Sequence, residues 1–268
     1  MSAPAVPQDT RWWGEVEIPE GRGGRWRIGP LTLWAEHREQ EWRLAYREDA
    51  EAAEDLLEVD CPCTPETPDD DAGVVRVAMR QVDGRLKLTP SLADRSIVAR
   101  PETPFRLLAG GEVSLYVGTP VWLRVEIPEP RAALLDLPTR RLSDTWFGPN
   151  TFDGELCYAV HTAARLQLAN LAPVPDCAIT EVRLRNLADT VLVERLNLPV
   201  HHFATFADGR GRLWTQAMTI ERKQDGKLGE IVFDDGPPSL AGRCERIAEP
   251  RTGGHRSSLL RALTGLLG

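Results

Sequence analysis

Long apolar runs are missing from this 268-residue sequence. No segment approaches the roughly 18 consecutive apolar residues of a spanning helix, which leaves no transmembrane-helix candidate. Catalytic signatures are missing too. There is no G-x-S-x-G elbow, no S-x-x-K, no kinase set and no HExxH. Gly21-Arg-Gly-Gly24 lacks the strand-before, helix-after setting of a phosphate loop and reads as a turn. Lysine is nearly absent: Lys87, Lys223 and Lys227 stand against 29 arginines. The surface cations are therefore planar groups suited to carboxylate pairing and aromatic stacking.

Cysteine is sparse. Cys61, Cys63, Cys157, Cys177 and Cys244 are odd in number and scattered, unlike the even, dense spacing of a secreted disulfide framework. With no basic, apolar leader in residues 1–10, read as a flexible lead-in, the expectation is a cytoplasmic protein with reduced thiols. Cys61-Pro-Cys63 supplies half of a tetrahedral set at most, and no metal or other cofactor is expected. His201 and His202 would point to opposite faces of a strand, which argues against joint ligation. Asp69-Asp70-Asp71 lacks the spacing of a calcium loop and reads as a solvated acidic turn.

What is present is strand grammar. With 22 Gly, 21 Pro and 42% hydrophobic residues, the chain favours many short elements joined by turns. Val74–Val82 and Arg85–Leu88 around Asp83-Gly84 read as a hairpin. The same pattern joins Leu107-Leu108 to Glu112–Val117, and Glu181–Asn186 to Val191–Leu198. Asp208-Gly209 and Asp225-Gly226 likewise precede strands at Arg212–Ile220 and Gly229–Phe233. Further strands are expected at Arg11–Ile18, Arg25–Ala35, Glu41–Tyr46, Val121–Ile127, Leu142–Phe147 and Glu155–Thr162. No strand–helix alternation occurs. The fold class is all-β, an antiparallel sandwich architecture in two sandwich-like halves, 11–128 and 129–250, divided near Ile127-Pro-Glu-Pro-Arg131. A single large sandwich is the alternative.

Two segments break the rhythm. An acidic insertion over about 47–73 opens with a helix-favouring run, Arg47–Glu58. At the other end, residues 251–268 form a linker and a short amphipathic helix. There Leu259, Leu260, Leu263, Leu266 and Leu267 share one face after a possible Ser257 cap. Eleven residues reach only about 16 Å, too short to span a bilayer. This stripe can dock on its own sheet, take a protein partner or a second copy, or lie on a membrane surface.

The densest polar–aromatic segment is Thr139–Tyr158. It gathers Arg140, Arg141, Asp144, Trp146, Asn150, Asp153 and Glu155 around a Gly-Pro turn. Such a loop held on a sheet is the best candidate for a binding site. Its carboxylates could also serve glycosidic acid–base chemistry if two of them faced one cleft. The competing reading is a β-corner whose Asp and Asn close turns and whose Arg140 pairs with a carboxylate. Eight tryptophans, five of them within the first 42 residues, either fill a core or offer an aromatic platform for sugars or bases.

Ile28-Gly-Pro-Leu-Thr-Leu-Trp-Ala35, Leu142–Gly148 with Asp153–Tyr158, and Arg185-Asn186 through Leu196–Val200 resemble a prokaryotic domain-of-unknown-function family, number 432. The resemblance implies an all-β fold and carries over no catalytic or binding residue. The functional expectation is a non-enzymatic binding or scaffold module. A carbohydrate-active enzyme using carboxylates within 144–155 is the alternative, and a membrane-peripheral regulator acting through the C-terminal helix is the second.

Net charge is −8, so no nucleic-acid partner is expected. That charge is concentrated. Residues 36–71 hold 14 acidic and three basic side chains, and the rest of the chain sums to +3.

Overall fold

The computed structural model describes residues 11–252, except 67, 69–70, 81, 130, 151, 161–162 and 224–228, together with 257–258 and 263–264. The first strands are β1 (Gly14–Glu17), β2 (Gly23–Ile28), β3 (Leu31–Arg38), β4 (Glu41–Glu48), β5 (Leu57–Cys63), β6 (Gly73–Ala78) and β7 (Arg85–Ser91). Then come β8 (Ile97–Ala99), β9 (Phe105–Leu107), β10 (Glu112–Pro120), β11 (Trp122–Ile127), β12 (Ala132–Pro138), β13 (Ser143–Phe147) and β14 (Glu155–Ala159). The long β15 (Cys177–Asn186) is followed by β16 (Val191–Val193), β17 (Arg195–Leu198), β18 (Thr205–Asp208), β19 (Leu213–Thr215) and β20 (Met218–Arg222). The last are β21 (Gly229–Phe233), β22 (Cys244–Ala248), β23 (Ser257–Ser258) and β24 (Leu263–Thr264). Among the described residues the only helical turns are three 3-10 turns of three residues each. The fold is all-β, as the alternation of apolar residues predicts.

The chain forms two compact units. One comprises the chain up to Pro90, Val121–Arg141 and Pro173–Asp176. The other comprises Ser91–Pro120, Leu142–Ala172 and the chain from Cys177 onward.

The first unit holds a five-stranded antiparallel sheet, β5-β2-β3-β4-β6, and a four-stranded sheet, β1-β7-β11-β12. On the five-stranded sheet, Trp26, Ile28, Leu33, Trp42 and Leu44 are fully buried along one face. Burying each such side chain contributes about 1.5–3 kcal/mol. Leu86, Leu88, Leu123 and Val125 do the same for the four-stranded sheet. The β11–β12 register closes at Ile127 opposite Ala132. Trp12 is buried and Trp13 half-buried, their rings edge-on at 5.6 Å. Adjacent residues of extended chain cannot both enter one core.

In the second unit, β15 is the spine of the largest sheet. The antiparallel β10 lines one side of it, and the parallel β19 and β20 follow one another along the other. Buried Thr119, Thr180 and Thr215 link their hydroxyls across these strands at 2.7 and 2.9 Å. A five-stranded sheet runs β13-β14-β8-β17-β24, and β16 pairs with β9.

Several local readings are corrected. Arg47–Glu58 is not a helix. β4 continues to Glu48, then turns closed by Ala52 N–H to Asp49 O and Leu56 N–H to Ala53 O lead into β5. Strand pairing overrides helix propensity here. The Asp83-Gly84 turn does not join a hairpin: β6 pairs with β4, while β7 pairs with β1. The links at 108–111 and 187–190 likewise lead to strands with other partners, since β9 pairs with β16 and β10 with β15. Arg212–Ile220 breaks at Gln216-Ala217 into β19 and β20. His201 and His202 lie in a 3-10 turn instead of a strand, with ring centroids 4.1 Å apart.

The expected C-terminal helix falls largely outside the described residues, as do Leu259, Leu260, Leu266 and Leu267. Leu263 is described, in extended chain paired with Leu196.

Candidate functional site

The segment Thr139–Tyr158 does not act as one piece. Arg140 and Arg141 belong to the first unit, and everything from Leu142 belongs to the second.

Arg140 is a framework residue. It is buried, and its Nε and Nη2 reach the two carboxylate oxygens of the fully buried Asp176 at 2.7 and 2.8 Å. This fork geometry is the strongest form of side-chain ion pair. Burial pushes the Asp176 carboxyl up, and the Arg140 guanidinium pulls against that rise. The same point is tied by the backbone. Val121 N–H donates to Asp176 O at 2.9 Å, and the Thr139 hydroxyl to Val121 O at 2.6 Å. Trp12 Nε1 donates to Pro175 O at 3.0 Å. Gly29 (φ +53°) approaches so closely that an added Cβ would stand 3.2 Å from the Asp176 carboxylate. Arg141 offers its backbone N–H to Glu48 at 2.7 Å.

The remaining residues form the β13–β14 hairpin. Its register sets Asp144 opposite Tyr158, Trp146 opposite Leu156 and Phe147 opposite Glu155. Side chains alternate between faces, so Phe147, Cys157 and Glu155 share one face and Asp144, Trp146 and Leu156 the other. Phe147 and Cys157 are fully buried against Val98, and Glu155 accepts a hydrogen bond from Asn197 Nδ2. Asp144 instead pairs with Arg95 at 3.3 Å on the outside. Asp144 and Glu155 therefore cannot face one cleft across a sugar ring.

Asn150 locks the connecting loop: its Oδ1 accepts the N–H groups of Phe152 and Asp153 at 2.9 and 2.8 Å. Trp146 Nε1 donates to Asn150 O at 2.8 Å. The two arms meet so tightly at Gly148 that a Cβ would stand 2.1 Å from Asp153 O. Trp146 is left 40%, Leu156 47% and Phe152 96% exposed. Arg95 stacks over Tyr158 at 5.0 Å beside them. Among the described residues β13 is the terminal strand of its sheet, and no strand pairs with its outer backbone edge.

A second surface was legible only as an excess of tryptophan. On the outer face of the five-stranded sheet, Trp34 stands between Arg25 on β2 and Ala45 on β4. The next row is Arg27, Thr32 and Arg47. Small Thr32 and Ala45 beside long arginines and an indole leave depressions in this face. One of about 170 Å³ is lined by Arg25, Arg27, Thr32, Trp34, Arg47 and Leu56, among others. The signal that could have marked it is the alternation Arg25-Trp26-Arg27 against Thr32-Leu33-Trp34, which puts Arg25, Arg27, Thr32 and Trp34 on one face once β2 and β3 pair.

Cys61 and Cys157 are poor nucleophiles. Burial pushes Cys61 up to about 11, and burial with the neighbouring Glu155 pushes Cys157 up to about 12. Among the described residues no three His, Cys, Asp or Glu side chains come together as a metal site, and no helix is long and apolar enough to cross a membrane.

No curated protein and no solved structure matches the chain. The model of a family described as "Protein of unknown function (DUF432)" matches residues 12–266. The chain belongs to that family, and its strands, from β1 to β24, fall within the matched span.

Proposed function

We propose that this protein is a non-enzymatic binding module that takes another polypeptide at the β13–β14 hairpin. The observation that carries this reading is an edge strand flanked by exposed Trp146, Leu156 and Phe152 on a loop fixed by Asn150. An edge strand is a template for an added strand, and aromatic side chains are the commonest anchors of interfaces. β13 has one charged residue, Asp144, already engaged by Arg95, and Arg195 reaches only its Trp146 carbonyl, at 3.4 Å. Asn150 and Gly148 serve as positioning residues. Arg140 serves the frame of the first unit.

Selection of displayed random peptides on the folded full chain tests the reading. The expected winners are extended segments with alternating apolar residues, whose binding falls at least tenfold with Trp146→Ala plus Phe152→Ala. Absence of enrichment, or winners that bind the double variant equally well, overturns it.

A further inference from the structure

The acidic segment 36–71 is the least balanced stretch of the sequence, and part of it lies across the arginine–tryptophan face of the first unit. Glu66 is the most telling residue. One of its carboxylate oxygens accepts from Arg25 Nη1 at 2.8 Å and the other from Trp34 Nε1 at 3.0 Å. Arg27 pairs with Glu58 at 3.1 Å, and Arg47 approaches Asp71 at 4.0 Å. These carboxylates are 44%, 49% and 72% exposed. Exposed pairs of this kind are weak and are screened by salt. They mark where anions sit on this face without holding those places strongly.

The face has two further properties. Trp34 lines a depression on either side, one toward Gly24, Arg43 and Glu66 and the other toward Arg27, Thr32 and Arg47. The Arg47 guanidinium stands 6.0 Å from the indole centroid, the outer limit of cation–π contact. The larger depression, about 170 Å³, falls below the roughly 300 Å³ at which drug-sized sites begin. That size suits one flat ring system with one anionic group and excludes a dinucleotide.

We infer that the outer face of β2, β3 and β4 binds a small ligand joining a flat ring to an anionic group, of nucleoside monophosphate size. Trp34 stacks the ring, Arg25, Arg27 and Arg47 take the anion, and Glu66 is a built-in competitor for Arg25 and the indole N–H. No bond is made or broken. This site is independent of the β13–β14 hairpin, in a different unit, and stands or falls separately.

Calorimetric titration of the full chain with AMP at low salt tests the inference, with adenosine and inorganic phosphate as separate arms. AMP is expected to bind, with adenosine and phosphate each at least tenfold weaker. Trp34→Ala and Arg25→Ala should each weaken AMP at least tenfold, and 0.5 M salt should weaken it further. Glu66→Gln should tighten AMP about threefold or more, a gain that a misfolded variant does not give. The inference is overturned if AMP fails to bind both the wild type and Glu66→Gln. Phosphate binding as tightly as AMP, or AMP affinity unchanged in Trp34→Ala, overturns it too, as does weaker AMP binding in Glu66→Gln.

Discussion

The hairpin of the second unit and the arginine–tryptophan face of the first solve the problem of a β surface in opposite ways. On the hairpin the polar groups are spent internally: Asn150 closes the loop, Glu155 turns inward to Asn197, and Asp144 pairs with Arg95. Apolar groups are left outside. On the face, small residues sink below the surface and charged groups form the walls, answered by carboxylates of the acidic segment. The first arrangement suits a partner matched by shape and backbone. The second suits one matched by charge and a ring. Salt therefore separates them: binding at the hairpin should be insensitive to ionic strength, and binding at the face should fall with it.

The comparison breaks most readily at Arg140, which the sequence groups with the hairpin and the structure assigns to the other unit. Arg140→Ala leaves the buried Asp176 carboxylate without its partner and should cost about 3–5 kcal/mol in urea unfolding. A loss below 1 kcal/mol would mean that Arg140 is not a framework residue. Next comes Gly148→Ala, where backbone must move to admit the Cβ. It should cost about 1–3 kcal/mol, read by the same unfolding curves. Asn150→Ala removes the acceptor of two backbone N–H groups and should cost about 1 kcal/mol, with faster amide exchange at Phe152 and Asp153.

A smaller effect follows from His201, whose Nδ1 is buried without a hydrogen-bond partner among the described residues. Burial, then the neighbouring His202, lowers it from 6.5 to about 4, against the pull of Asp94. The unfolded chain takes up this proton first. Stability should therefore fall as pH drops from 6.5 toward 4, and His201→Gln should flatten that slope in pH-dependent melts. The smallest change is at Phe152: Phe152→Ala should alter stability by no more than about 0.5 kcal/mol while weakening peptide binding.

The sequence carried the strands better than their partners. Alternation at Glu41–Tyr46 marks β4, where Trp42 and Leu44 enter the core and Glu41 and Arg43 do not. Pairing is a long-range property. Asp83-Gly84 has hairpin chemistry, yet its flanking strands enter different sheets, and the parallel pairing of β15 with β19 and β20 has no local signal. The acidic run 47–58 favoured a helix by propensity, but its ends were claimed by β4 and β5. The hairpin was legible from its turn chemistry: the Gly148-Pro149-Asn150 run foretold the locked loop. The Arg140–Asp176 pair was not, because its partners are 36 residues apart. Glu66 over Arg25 was hidden for the same reason.

The most direct test of the central claim is amide hydrogen exchange on the full chain with and without a peptide chosen by display. Strand addition at the hairpin predicts that the amides of residues 143–147 slow on binding while those of β2, β3 and β4 do not change. Protection confined to β2–β4, with 143–147 unaffected, would contradict it.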